Sequence, residues 1–175
     1  MRRLGTIWGF ALTLALAFCG LVTPIGAHAQ DQASTSELER NWSARLGIYI
    51  LQSNAARSAS GPAGVSVALE RRVYAGKSYD ITAGIGFNGI DQVYSVPILI
   101  NVTSSMHNLR YGGGIGYAFS KKINGRGVNG IAFDLLVGYQ LTQTVNPLSI
   151  DLRYYFIGST NNELDGYSLS LGIKF

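Results

Sequence analysis

Cysteine is nearly missing from this chain of 175 residues, where Cys19 stands alone. Histidine occurs twice, at His28 and His107, and charged residues make up only 14% of the total. Cys19 and His28 both fall in a front segment with the marks of a secretory signal. Met1-Arg2-Arg3 is basic, an apolar run follows from Leu4 to about Val22, and Ala27-His28-Ala29 puts small residues at the two positions a signal peptidase reads. Cleavage before Gln30 is expected. A membrane-anchoring helix competes, since the run is nearly long enough to span, but Pro24, Gly26 and the A-x-A end favour cleavage. Phe18 is a poor fit to a lipoprotein site at Cys19, which needs a small residue there.

Removing residues 1–29 leaves 146 residues with no cysteine and one histidine. Disulfides and cysteine-based metal sites are thereby excluded. With a single histidine and no carboxylates clustered at ligand spacing, neither a metal nor a cofactor is expected. Losing Arg2 and Arg3 takes the fourteen Lys and Arg down to twelve, against ten Asp and Glu. So near a balance gives no reason to expect a nucleic-acid partner. The length suits one domain. Residues 30–41 form a polar lead-in without periodicity, either a helical turn capped by Ser36 and Glu39 or a disordered segment.

What the chain has in quantity is alternation. In its last stretch, residues 165–175, Tyr167, Leu169, Leu171, Ile173 and Phe175 share one face of a strand. Ser168, Ser170, Gly172 and Lys174 share the other. An open soluble sheet ending on such a strand would expose an apolar edge to aggregation. Closure into a barrel removes the edge, and lipid around it makes the apolar face an asset. Seven more alternating segments precede it, at about 42–52, 64–74, 78–88, 93–103, 108–119, 130–141 and 147–157. Each is about as long as a tilted strand must be to cross a bilayer core, roughly 9–11 residues. The expected fold is all-β: an eight-stranded antiparallel up-and-down transmembrane β-barrel over 42–175. Two residues disturb the pattern. Arg71 interrupts the apolar face of the second segment, and Pro97 in the fourth should mark a bulge or a strand start. The first, third, fifth and seventh links read as the longer or more decorated, the second, fourth and sixth as short turns. Short turns face the periplasm in such barrels, which puts both termini there.

Alternation alone does not say which face points inward, and a soluble lipocalin-type barrel would enclose its apolar face around a ligand. The content of the other face decides. It carries Arg45, Glu70, Arg72, Asp80, Arg110, Asp134, Asp151, Arg153 and Lys174 among many Gly, Ser and Ala. Gly112, Gly114 and Gly116 follow one another on it, a poor choice for a solvated strand surface. In a narrow lumen, small residues make room for charged neighbours. Five positive and four negative groups nearly balance, so the interior is expected to be a plugged ion-pair network and not a solute pore. Tyr79, Tyr111, Tyr139, Tyr154 and Tyr167 lie near strand ends on the apolar face, as interfacial girdles would.

With Y-S-V-P-I-L-I-N-V (94–102), R-Y-G-G-G-I-G-Y-A-F (110–119), D-L-R-Y-Y-F (151–156) and Y-S-L-S-L-G-I-K-F (167–175), the chain resembles the small eight-stranded outer-membrane β-barrel domain family of Gram-negative bacteria, the OmpA/OmpX type. The resemblance implies an integral outer-membrane location. It also implies that Phe175 is the terminal aromatic read by the barrel-assembly machinery. It brings no substrate, because that fold hosts adhesion, defence, enzymatic and structural members.

Lys121, Lys122 and Arg126 cluster in the fifth link, with Arg57 in the first. They suit lipopolysaccharide phosphates, and a solvated loop with incidental lysines explains them equally well. For a lipid A hydrolase, a serine would need a histidine and an orienting carboxylate. His107, in S-S-M-H-N, is placed in a short turn near Ser104 and Ser105. The His-x-Ser-Asn pattern of the deacylases that share this fold is missing. No catalytic residue is therefore expected, His107 with a nearby serine being the enzymatic alternative. The expected function is structural or surface-interactive.

Overall fold

The computed structural model describes residues 41–142, 146–158 and 162–175. The expected signal peptide and residues 30–40 of the lead-in lie outside the described residues. Eight strands follow one another: β1 (Trp42–Leu51), β2 (Gly64–Ala75), β3 (Asp80–Ile90), β4 (Val93–Met106), β5 (Leu109–Lys121), β6 (Gly127–Gln140), β7 (Leu148–Ile157) and β8 (Gly166–Lys174). Each pairs antiparallel with the next, and β1 pairs with β8, so the sheet closes in the order β1 to β8. The fold is a closed eight-stranded up-and-down barrel, as expected from the sequence. The seam is continuous from Ser43 opposite Lys174 to Leu51 opposite Gly166. Beyond it, Trp42 and Phe175 exchange two backbone hydrogen bonds, of 3.1 and 2.9 Å. No strand edge remains for pairing along this seam.

The side-chain period of two puts the apolar residues outside. Leu46, Ile100, Ile115, Leu135 and Leu171 are each more than half exposed. Arg45, Glu70, Asp134, Asp151 and Arg153 are buried within. An apolar interior, which a lipocalin-like reading requires, is thus not what most of the lumen offers. The two irregular residues have local explanations. Arg71 does face outward, where its guanidinium lies 5.6 Å from the centre of the Trp42 ring at the strand-terminus end, a cation–π contact. Pro97 marks neither a bulge nor a strand start. The β3–β4 ladder keeps one register from Ile85 opposite Ile98 to Asn88 opposite Ser95, and skips the two pairs between them. Pro97 has no N–H to give β3, while its other edge pairs with Ala118 of β5 without interruption. The bulge in this wall lies instead on β2, between Arg72 and Tyr74.

The links depart from the expected lengths. The third is a two-residue turn, Asp91-Gln92, because Asn88 and Ile90 point inward, are buried, and carry β3 two residues further. The fifth is cut to 122–126 by extension of both flanking strands, with Lys121 opposite Gly127. The sixth spans 141–147, longer than either. The first link, among those expected to be longer or more decorated, contains a helix, α1 (Asn54–Ser60). Ser53 caps it by accepting from the Ala56 N–H at 3.3 Å. The helix ends at Gly61, whose φ of 106° suits glycine. Arg57 fixes the helix to the barrel rim by donating to the carbonyls of Leu51 and Gln52.

Candidate functional site

The interior has two layers, and the lower one is ionic. Asp151 of β7, fully buried, accepts from Arg45 Nε of β1 at 2.7 Å and from Arg110 of β5 through both carboxylate oxygens at 3.0 Å. Ser149 donates to the same carboxylate at 3.1 Å. Glu70 of β2 takes Arg45 at 2.7 Å and pairs closely with Arg153. Arg153 reaches on to Asp134 of β6 at 3.0 Å. Three guanidiniums and three carboxylates from five strands thus form one chain of pairs across the lumen. Sequential alternation aims each group inward, and the barrel closure brings them together. Sharing one carboxylate between two guanidiniums suits arginine's planar fork.

Glycines opposite the network provide the space for it. A β-carbon at Gly84 would lie 2.5 Å from Glu70 Cγ, and one at Gly138 would collide with the Asp151 carboxylate. Of the other groups assigned to the lumen, Arg72 and Asp80 stand apart from the cluster, 3.9 Å from one another and partly exposed. Lys174 also faces inward and is half-buried at the same end.

The upper layer is apolar, and the sequence reading missed it. Tyr49, Leu51, Ile90, Tyr155, Ile157 and Leu164 are buried together with Ala56 of α1. The Tyr49 and Tyr155 rings meet edge to face at 6.3 Å. Tyr49 donates its hydroxyl to the Leu164 carbonyl. Asp165 accepts the Ile157 N–H at 2.8 Å, and burial raises its carboxyl above the ordinary range. The signal was present in the sequence. Tyr49, Leu51, Tyr155 and Ile157 are the large apolar residues on the otherwise polar face of β1 and β7, all at the loop end. Aliphatic and aromatic packing there closes the lumen above the ion pairs.

No family model matches this sequence, and no curated protein does either. Among solved structures, the crystal structure of Neisserial surface protein A is similar, with a TM-score of 0.52 at 16% identity. The match covers 76% of this chain and 94% of that one. The fold is that of an eight-stranded outer-membrane barrel. In an outer-membrane barrel, the exposed apolar band is the surface that meets lipid, and aromatic girdles flank it.

The aromatic residues of this barrel gather towards both rims. Trp42, Tyr74, Tyr79, Tyr111 and Tyr139 are exposed at the strand-terminus end, with Tyr74 and Tyr79 5.7 Å apart. At the loop end, Phe87 stacks on Tyr94 at 6.0 Å, Tyr117 meets Phe119 at 5.4 Å, and Tyr154 meets Tyr167 at 4.9 Å. Phe175 holds the seam by its backbone while its ring stays exposed.

The three cations of the fifth link separate. Lys122 bends over to Glu163 of the seventh link at 3.3 Å, with its side chain 12% exposed. Lys121 ends β5 on the outward face, opposite Tyr94. Arg126 remains exposed. His107 takes the first place of the two-residue turn between β4 and β5, with φ of 57°, and its side chain makes no hydrogen bond among the described residues. Its ring does not cap the backbone of the turn. Ser104 donates its hydroxyl to the Ser78 carbonyl at 2.7 Å instead of meeting His107.

Proposed function

We propose that this protein is an integral outer-membrane barrel with a structural or surface-interaction role, both termini and the even-numbered links on the periplasmic side, and no solute-conducting pore. The observation that carries the reading is the pairing of an apolar exterior with a lumen filled by ion pairs and closed by an apolar plug. Water-soluble surfaces do not carry so continuous an apolar band, and an eight-stranded interior is only wide enough to be filled by side chains. Helix α1 and the links at its end form the surface offered to the outside. Lys121 and Arg126 are the cations there best placed for lipopolysaccharide phosphates, since Glu163 already engages Lys122. Assembly is proposed to use Phe175, whose exposed ring is available to a receptor.

The topology has a direct test. The described residues contain no cysteine, so a single introduced one reports its own side. Asn124→Cys, in the fifth link, is expected to react with a membrane-impermeant maleimide in intact cells. Lys77→Cys, in the second, should react only after the envelope is opened. The reverse pattern would overturn the orientation.

A non-catalytic role predicts that His107→Ala leaves lipid A acylation unchanged by mass spectrometry. A changed profile would establish the hydrolase alternative, although Ser104 would first have to release the Ser78 carbonyl.

A further inference from the structure

The interior charges do not cancel. Arg45, Arg110 and Arg153 share the carboxylates of Glu70, Asp134 and Asp151. Arg72 faces Asp80. Five cations against four anions leave Lys174, and among the described residues no carboxylate lies within 4.0 Å of its ammonium. Its side chain is half-buried in the mouth of the lumen at the strand-terminus end.

Arg72, Arg110, Ser43, Thr82 and Thr103 line the same mouth. Asp80 is the carboxylate in that lining, against three cations, of which Arg110 is engaged from within by Asp151. The Thr82 hydroxyl is buried and has no hydrogen-bond partner. A half-desolvated ammonium and an unused hydroxyl are two donors without an acceptor, set beside the charges of Arg72 and Arg110, which Asp80 and Asp151 already engage. Donors converging from β2, β3, β5 and β8 suit a tetrahedral oxyanion with several acceptor oxygens.

We propose that this mouth binds one oxyanion of the phosphate class, held by Lys174, with Thr82 donating its hydroxyl and Arg72 and Arg110 supplying charge. The ion pairs and the apolar layer lie beyond it, so the site is a dead end from which the anion leaves as it entered. Inorganic phosphate and the phosphate of a lipid head group at the rim share the chemistry required.

The test uses the folded barrel in non-ionic micelles with ε-carbon-labelled lysine, followed by NMR. Inorganic phosphate and a short-chain phosphatidylglycerol are titrated separately, with chloride at matched ionic strength as the control. The lysine resonance that is missing from Lys174→Gln should shift saturably, while Lys77 and Lys122, which stand outside the proposed phosphate contacts, stay unmoved. Calorimetry should show binding weakened about tenfold or more in Lys174→Gln, as expected for loss of a charge-assisted bond. Thr82→Val should weaken it several-fold, and serves if the lysine variant does not fold. Saturation by inorganic phosphate identifies a free anion, and saturation by the lipid alone identifies a head group. Saturation by neither, or the same shift with chloride, overturns the proposal.

Discussion

Asp151→Ala is expected to destabilise the barrel by about 3–5 kcal/mol, the cost of leaving a buried charge without its partner. Asp151 is fully buried and serves Arg45 and Arg110 together, so one truncation takes a partner from two guanidiniums. Arg45 keeps Glu70 at 2.7 Å, and Arg110 keeps no carboxylate partner within the central cluster. Asp151→Asn should lose less, because the amide oxygen still accepts a hydrogen bond while the charge is gone. Unfolding by denaturant in detergent micelles measures both variants. A loss below about 1 kcal/mol for the alanine variant would mean that water reaches the guanidiniums and replaces the carboxylate. The lumen would then be wet throughout, and the sealed reading would fail.

Ile100→Arg carries the second large expected effect. Ile100 sits in the middle of β4, 57% exposed, with Ala83 and Ile115 beside it in register. In a bilayer an arginine near the midplane of an outward face costs about 2–4 kcal/mol. The same change on a water-facing strand costs within about 0.5 kcal/mol. Gln92→Arg, in the exposed third link, is the control and should be neutral. Folding equilibria in lipid vesicles therefore report which solvent surrounds the band, independently of where the protein is found in the cell. Equal stabilities for Ile100→Arg and the parent would place that face in water.

The architecture was legible because a period of two needs no long-range information. Leu46-Gly47-Ile48-Tyr49-Ile50 already tells which residues share a face, and closure follows from the lack of any strand fit to be an edge. The ionic layer was legible for a related reason, since nine charges on one face of narrow strands have only one another as partners. What was hidden depends on where strands stop. Gly89 and Ile90 stand beside Asp91 and Gln92 beyond the third alternating segment, yet the burial of Ile90 extends β3 and shortens the third link to two residues. Link length was therefore a weak guide to sidedness. The helix in the first link depends on Ser53 as a cap and on Arg57 holding two rim carbonyls, contacts that composition does not display. The apolar layer is masked because the polar face is mixed over its whole length, and Tyr49 and Tyr155 change its character only at one end. Pro97 looks disruptive in the sequence because a proline lacks one donor. The structure places that missing donor on the β3 side, where two ladder positions are skipped.

The central claim is that the apolar band meets lipid. Fractionation of cells making the full chain, with gel mobility compared before and after boiling, tests it most directly. The protein is expected in the outer-membrane fraction, migrating differently when unboiled because the closed barrel resists unfolding by detergent. Recovery as a soluble periplasmic protein with a single mobility would contradict the account.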